Sequence, residues 1–161
     1  MKVMNIIQDS IVDGVGLRTV IFFSGCPHQC FGCHNPQSWN ASNGTDMTME
    51  EILEQISPMN NVTLSGGEPF LQAKAIVPLV KALKDKGKTV WCFTGYLYED
   101  VKDQELMKYI DVLVDGKFEI DKRDLDLVYK GSSNQRIISV KRSIEGKQVV
   151  LWSGKKDSTI I

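Results

Sequence analysis

Four short runs rich in β-branched and aromatic residues alternate with stretches whose apolar residues recur at helical spacing. The runs predict strands at 19–24, 61–65, 89–93 and 111–114. The stretches between them predict helices from Met49, over 72–86 and over 97–108. Strands that are separated by helices are joined by right-handed crossovers and form a parallel sheet. A closed eight-stranded barrel typically takes about 250 residues. A chain of 161 residues therefore predicts an α/β fold, an open, partial βα barrel with a mainly parallel sheet.

The length predicts a single domain over residues 1–161, with a core at about 9–137. Apolar runs at 136–140 and 148–152 predict a C-terminal hairpin, within a tail over about 138–161. With 42% hydrophobic residues and a net charge of −1, the composition excludes a disordered chain. No run approaches the ~20 apolar residues of a membrane span, and the first nine residues lack a secretory apolar segment. We therefore expect a cytoplasmic protein that has no membrane partner.

A distinctive loop follows each predicted strand. The cysteine-rich segment 26–33 follows the first strand, Gly-Gly-Glu at 66–68 the second, Thr-Gly-Tyr at 94–96 the third and Asp-Gly-Lys at 115–117 the fourth. Parallel α/β folds bind their ligands at the carboxyl ends of the strands. Four such loops on one rim of one sheet therefore predict a single site.

Three of the four cysteines, Cys26, Cys30 and Cys33, have the spacing Cys-x3-Cys-x2-Cys. Thiolates bind soft metals and iron–sulfur clusters. A four-iron cluster usually takes four cysteines, and the remaining one, Cys92, lies mid-strand, where cysteine commonly packs as a small hydrophobe. Three thiolates would leave one iron open to an exogenous ligand. The alternative at this point is a zinc site with three cysteines and one of the two histidines.

The spacing of Cys26, Cys30 and Cys33 resembles the signature of the radical S-adenosylmethionine enzymes. In that family, three cysteines hold three irons of a [4Fe-4S] cluster, and the amino and carboxylate groups of S-adenosylmethionine chelate the fourth iron. The resemblance implies that these three thiols are the metal ligands. It also implies that the cluster and S-adenosylmethionine are the cofactors.

The other loops extend the resemblance to the cofactor. The sequence at 66–68 is similar to the family's Gly-Gly-Glu motif, whose backbone and acidic side chain meet the methionine amino group. Two glycines allow a close backbone approach, and a carboxylate accepts from an ammonium group. The sequence at 115–117 resembles an Asp-x-Lys element that contacts the ribose and the methionine carboxylate. The implied cofactor-binding residues are Gly32, Cys33, His34, Gly66, Gly67, Glu68, Asp115 and Lys117.

Segments 13–18, 94–96, 115–117 and 131–136 narrow the resemblance to glycyl-radical activases, and among them to activators of anaerobic ribonucleoside-triphosphate reductase. The implied reaction begins with one electron from a low-potential donor such as flavodoxin. S-adenosylmethionine is then cleaved at the cluster to a 5′-deoxyadenosyl radical, which abstracts a hydrogen atom from a glycine of the reductase large subunit. No general acid or base is needed.

Other functions compete with this interpretation. The nearest is activation of another glycyl-radical enzyme, such as formate acetyltransferase. A radical enzyme of deazapurine synthesis is a more distant relative. A zinc-binding interaction module and a simple electron-transfer protein belong to different classes. Iron content and co-purification with a large reductase would distinguish them.

The charge is uneven along the chain. Residues 128–156 hold seven basic side chains and one acid, Glu145. This bias is typical of a solvated surface element, and it also fits a docking surface for an acidic partner, with Lys141, Arg142 and Lys147 as the contacts. No aromatic residues are interleaved as nucleic-acid binding requires, so we expect no nucleic-acid partner.

Overall fold

The computed structural model describes residues 1–154, which form one open seven-stranded sheet with the strand order β3-β1-β2-β4-β5-β6-β7. Strands β2, β4, β5 and β6 are parallel to one another. Strand β1 pairs antiparallel with β2, β3 pairs antiparallel with β1, and β7 pairs antiparallel with β6. The predicted α/β class and open sheet with a parallel centre are confirmed. The strands are β1 Lys2–Ser10, β2 Arg18–Phe23, β3 Thr45–Asp46, β4 Asn61–Gly66, β5 Val90–Phe93, β6 Val112–Asp115 and β7 Arg136–Ser139.

Four α-helices accompany the sheet in the described part of the chain. They are α1 Met49–Gln55, α2 Ala73–Asp85, α3 Tyr98–Val101 and α4 Val140–Gly146. The predicted capping box of α1 is present, because Thr48 Oγ1 accepts from the Glu51 N–H and the Glu51 carboxylate accepts from the Thr48 N–H. Helix α2 continues through Pro78, so the proline neither delays nor ends it.

The two faces of the sheet have different coverings. Helix α2 packs its buried residues, which include Leu79 and Leu83, against one face. Cys92 belongs to this core and is fully buried, as predicted for a small hydrophobic residue. The opposite face, which we call the cleft face, holds a second apolar cluster around Trp91, with Tyr129 and Trp152 packed against it. Its unfilled part contains the candidate site.

Among the strands and α-helices before residue 136, strands β1 and β3 and the helix at 97–108 differ from the prediction. The half-exposed strand β1 was not predicted, because its buried positions are too few for a clear alternating pattern. The single helix predicted over 97–108 is wrong: α3 is one turn long, and a 3-10 helix follows at Glu105–Tyr109. The reason is the polar run 102–105 between Val101 and Leu106, which offers no apolar residue at helical spacing for the core.

The predicted C-terminal hairpin is wrong in its connection. Ile138 and Leu151 form one antiparallel bridge, but helix α4 lies between them instead of a turn. The Ser143 hydroxyl donates to the Ser139 carbonyl inside that helix, which stabilises the helical turn. The Val140 N–H donates to the Asp111 carbonyl, so α4 starts at the amino end of β6, away from the cysteine loop. Lys155 and Lys156 of the basic segment lie outside the described residues.

Within residues 1–154, none of the helices is both long enough and apolar enough to span a bilayer.

Candidate functional site

The cysteine loop leaves the carboxyl end of β2 and is held by backbone hydrogen bonds. The Gly25 N–H donates to the Ser38 carbonyl at 2.6 Å, and the Cys26 N–H donates to the Trp39 carbonyl at 3.1 Å. The Cys33 N–H closes the last turn on the Cys30 carbonyl at 3.1 Å. All three thiols of the loop are free and partly exposed. The loop therefore presents three unpaired thiols on one short, tethered segment.

The two glycines after β4 lie directly against the chain segment that leads into the cysteine loop. Gly66 has a φ of +97°, and a Cβ there would overlap with the backbone of Phe23. A Cβ on Gly67 would overlap with the Gly25 carbonyl, which accepts the Glu68 N–H at 2.8 Å. The glycines are thus required for the contact between two loops of the protein itself.

The Glu68 carboxylate is fully buried and accepts four hydrogen bonds. Oε1 accepts from the Phe70 N–H at 3.0 Å and from the Thr94 hydroxyl at 2.8 Å. Oε2 accepts from the Gly95 N–H at 2.9 Å and from His28 Nε2 at 2.8 Å. A carboxylate has about four lone-pair positions, so Glu68 has no acceptor left for an ammonium group. The geometry does not favour the direct contact that the resemblance implies for this side chain.

Asp115 is also fully buried and engaged. Its carboxylate accepts from Arg136 Nε at 3.0 Å and from the Tyr98 N–H at 2.8 Å. Arg136 also donates to Glu99 at 2.8 Å, and the two acids raise the pKa of the guanidinium, with Asp115 as the larger influence. A direct contact between Asp115 and a ribose is therefore not favoured by this geometry either.

Three connected clefts open beside the loops. The smallest, the cysteine cleft, has a volume of about 140 Å³ and is lined by all three loop cysteines together with Gly66 and Gly67. The lysine cleft, of about 530 Å³, contains Lys117 and shares His28, Gly95 and Gly116 with the cysteine cleft. The aromatic cleft, of about 420 Å³, shares Cys33, Phe93 and Phe118 with it. Four loops thus meet around one connected space, as the sequence predicts.

The remaining predicted site residues lie at the borders of this space. His34 lines the aromatic cleft, and its ring lies 4.9 Å from that of Phe118. Gly32 is exposed, has a φ of +74° and packs against Ile120. Lys117 is exposed. Glu68 and Asp115 do not line the three clefts, because their carboxylates point into the protein.

The donor set of the cysteine cleft fits an iron–sulfur cluster. Three thiols from one loop are the ligand type that such clusters take. Burial raises the pKa of the Cys26 thiol, so its thiolate needs a nearby cation for stabilisation. No group of three His, Cys, Asp or Glu side chains in residues 1–154 converges on one ion position.

Arg18, the last residue of the segment 13–18, has a structural position. It is fully buried on the cleft face and donates to Thr63 Oγ1 at 2.7 Å and to the Val15 carbonyl at 2.9 Å. Its guanidinium also lies 5.6 Å from the centre of the Trp91 ring. Desolvation lowers the pKa of Arg18 to about 10. Arg18 therefore fixes the loop 13–17 on the floor of the cleft face.

Sequence reasoning did not assign a specific contact to two residues of the site. His28 connects the cysteine loop to Glu68, and Tyr96 packs its ring edge-on to His28 at 4.5 Å. The position of His28 between two cysteines of the motif was the available signal. Nothing in the sequence pairs it with a carboxylate 40 residues away.

Comparisons with known proteins agree with this site. The family of 4Fe-4S single cluster domains matches residues 12–138. A bacteriophage T4 protein named anaerobic ribonucleoside-triphosphate reductase-activating protein is 40% identical over 138 residues, which are 80% of this chain and 87% of the phage protein. The chain belongs to this family of activating proteins.

Bacterial members of the family show the same similarity over most of their length. The Pasteurella multocida protein of that name is 40% identical over 152 residues, covering 83% of this chain and 96% of its own. The Escherichia coli K12 protein is 36% identical over 138 residues, covering 78% and 90%. The matched family region includes all four loops that line the cysteine cleft.

Proposed function

We propose that this chain activates an anaerobic ribonucleoside-triphosphate reductase by generating a glycyl radical on its large subunit. Three free thiols and the Gly66-Gly67 loop line the same cleft, and the chain belongs to the activating-protein family. This combination is the main support for the proposal. The proposal treats residues 1–161 as a single radical S-adenosylmethionine domain, whose open sheet is a partial βα barrel.

Cys26, Cys30 and Cys33 would hold a [4Fe-4S] cluster through three of its irons. S-adenosylmethionine would bind the fourth iron, and a low-potential donor such as flavodoxin would supply one electron. The cluster would then support reductive cleavage of S-adenosylmethionine to methionine and a 5′-deoxyadenosyl radical, which would take a hydrogen atom from a glycine of the reductase. The protein's contribution is to bind, orient and shield these groups.

Individual residues have separate tasks in this proposal. The exposed Lys117 at the mouth of the lysine cleft offers a cation to the methionine carboxylate. Gly66 and Gly67 present backbone to the cysteine cleft, His34 lines the aromatic cleft, and Gly32 shapes the loop just before Cys33. Glu68 and Asp115 hold the loops in place through their buried hydrogen bonds and are not assigned direct contacts with the cofactor.

The aromatic cleft offers the reductase a route to the cluster. It is lined by Phe93, Phe118 and Tyr129 and merges with the cysteine cleft at Cys33. Once the reductase covers this cleft, its aromatic side chains would reduce the water next to the thiols and would protect a reactive radical from quenching.

The test uses the full chain, reconstituted with iron and sulfide under anaerobic conditions. The reduced protein is incubated with S-adenosylmethionine and the anaerobic reductase, and the sample is examined by electron paramagnetic resonance. We expect a glycyl radical signal and about one 5′-deoxyadenosine per radical. Cys26→Ala, Cys30→Ala and Cys33→Ala should each abolish the signal.

Cys92→Ala is the matched control, because it removes a thiol that is buried in the helix-covered core. Its iron content and radical yield should equal those of the wild type. A radical formed on formate acetyltransferase but not on the reductase would identify a different activase. One bound zinc and no iron would contradict the proposal and leave a zinc-binding module.

A further inference from the structure

We propose that His28 is a positioning residue, and that its hydrogen bond to Glu68 fixes the cysteine loop in its ligand-ready conformation before any iron is bound. We call this contact the His28–Glu68 bridge. The inference deepens the proposed function, because it assigns a role to the loop that would hold the cluster.

The geometry of Glu68 makes it a fixed acceptor. Its carboxylate is fully buried, and three of its four hydrogen bonds come from Phe70, Thr94 and Gly95, on the loops that follow β4 and β5. The fourth comes from His28. Because the first three partners already hold the carboxylate in place, the hydrogen bond from His28 fixes the cysteine loop relative to the loops that follow β4 and β5.

His28 is held from three directions. Its side chain is 7% exposed, and Nε2 lies 2.8 Å from Glu68 Oε2. The ring of Tyr96 packs against it at 4.5 Å with an interplanar angle of 74°. A Cβ on Gly95 would overlap with the imidazole, so only glycine leaves room for the ring. The bridge uses the form of His28 that carries a proton on Nε2, which donates to the Glu68 carboxylate.

The bridge acts on the part of the loop that most needs support. Between Cys26 and Cys30, the backbone passes through Gln29 with a φ of +48°, a strained value for a residue with a side chain. No backbone hydrogen bond to another segment is present at residues 27–29 in the described structure. Within the loop, the backbone N–H groups of His28 and Gln29 interact with the Cys26 thiol. Side-chain anchoring by His28 is therefore what ties this stretch to another segment of the protein.

The test measures the apoprotein, where no cluster contributes to the result. Amide hydrogen exchange is followed at Cys26 and Cys33, whose N–H groups are hydrogen-bonded within the loop region. In His28→Ala, we expect exchange at these amides to rise roughly 10-fold or more, the scale set by a hydrogen bond to a charged group. Because buried Glu68 loses one of its four donors, the urea midpoint should fall, and exchange in helix α2 should rise less than exchange at these two amides.

Two further variants separate positioning from general packing. His28→Gln retains an N–H donor and should recover part of the protection. Glu68→Gln places amide N–H donors opposite the existing donors and should be as harmful to the loop as His28→Ala. Phe31→Ala is the matched control, since this side chain lies in the same loop, between Cys30 and Cys33, and is 83% exposed.

The holoprotein gives the second measurement. Cluster assembly from iron and sulfide should be roughly 10-fold slower in His28→Ala than in Phe31→Ala, followed by absorbance and iron content. Wild-type exchange and assembly rates in His28→Ala would overturn the inference, even if the wild type generates a glycyl radical. If exchange rises in His28→Ala but the wild type generates no glycyl radical, the proposed function is wrong and the role of the His28–Glu68 bridge stands.

Discussion

Arg136 Nε donates to Asp115 Oδ1 at 3.0 Å, and this contact joins the end of β6 to the start of β7 at the rim of the site. The aspartate side chain is completely buried, whereas the arginine is 32% exposed. A buried carboxylate is costly unless it is paired and hydrogen-bonded, so Arg136 is the group that makes Asp115 tolerable at this position. The loop that carries Lys117 begins directly after this aspartate.

Arg136→Ala should therefore destabilise the protein. The substitution leaves the Asp115 carboxylate buried without its cation, and we expect a loss of about 1–3 kcal/mol in the free energy of unfolding. Urea denaturation of the apoprotein measures it. Glu99→Ala is the control, because it removes the exposed partner of the same arginine and should cost less than about 1 kcal/mol. Equal losses in the two variants would show that the buried pair has no special weight.

Glu99 should make stability depend on pH in the acid range. Its hydrogen bond to Arg136 lowers the pKa of the carboxyl below the ordinary value of 4.5. A depressed pKa in the folded state contributes stability above pH 4.5, and this contribution disappears as the pH falls through the lowered pKa. Unfolding free energies between pH 3 and 6 should therefore fall less steeply in Glu99→Gln than in the wild type. Parallel curves would contradict the coupling.

Lys117→Ala should weaken the binding of S-adenosylmethionine without loss of iron. A hydrogen bond to a charged carboxylate contributes about 1.5–3 kcal/mol, which corresponds to roughly a 10- to 100-fold rise in Kd. Anaerobic calorimetry on the reconstituted protein measures the change. Lys122→Ala removes a neighbouring exposed lysine that pairs with Glu119 and should bind normally. Loss of iron in Lys117→Ala would assign this lysine to the structure of the loop instead.

Gly66→Ala should prevent correct closure of the loops. The new methyl group would collide with the Phe23 backbone, which the sheet holds in place. Residue 66 also has a φ of +97°, which a residue with a side chain rarely adopts. We expect at least about 2 kcal/mol of destabilisation, together with poor cluster incorporation. Gly146→Ala is the control, since its Cβ would meet only Gln148 at 3.9 Å. A Gly66→Ala protein of normal stability would contradict the described contact.

The parallel centre of the fold was predictable because its strands are buried on both faces and read as apolar runs. Cys92 was likewise predictable as a core residue. The connection after β7 was not, since Val140 resembles a strand residue. Its N–H donates to the Asp111 carbonyl and the Ser143 hydroxyl donates to the Ser139 carbonyl, and these contacts from the folded protein position the segment in α4. The exposed Lys141 and Lys147 consequently lie on an element that starts at the amino end of β6, far from the loops at the carboxyl ends.

The location of the site was predictable, because the carboxyl ends of parallel strands must meet at one rim. The tasks of the acidic residues were not. A sequence marks Glu68 and Asp115 as charged and loop-borne, and such residues usually face a ligand. Whether a carboxylate faces a ligand or the protein depends on which N–H groups surround it, and those of Gly95 and Tyr98 come from other segments.

The hydrogen bonds of Glu68 also determine when the protein can mature during its synthesis. Glu68 lies 40 residues after His28, and Gly95 lies a further 27 residues along the chain. Ribosomes add about 5–20 residues per second, so the three cysteines emerge seconds before their supporting loops exist. If iron binds a nascent chain in this interval, the three thiols are present, but the loops that hold the cysteine loop in place have not yet been synthesised. We therefore expect iron to be delivered after the central strands have been translated.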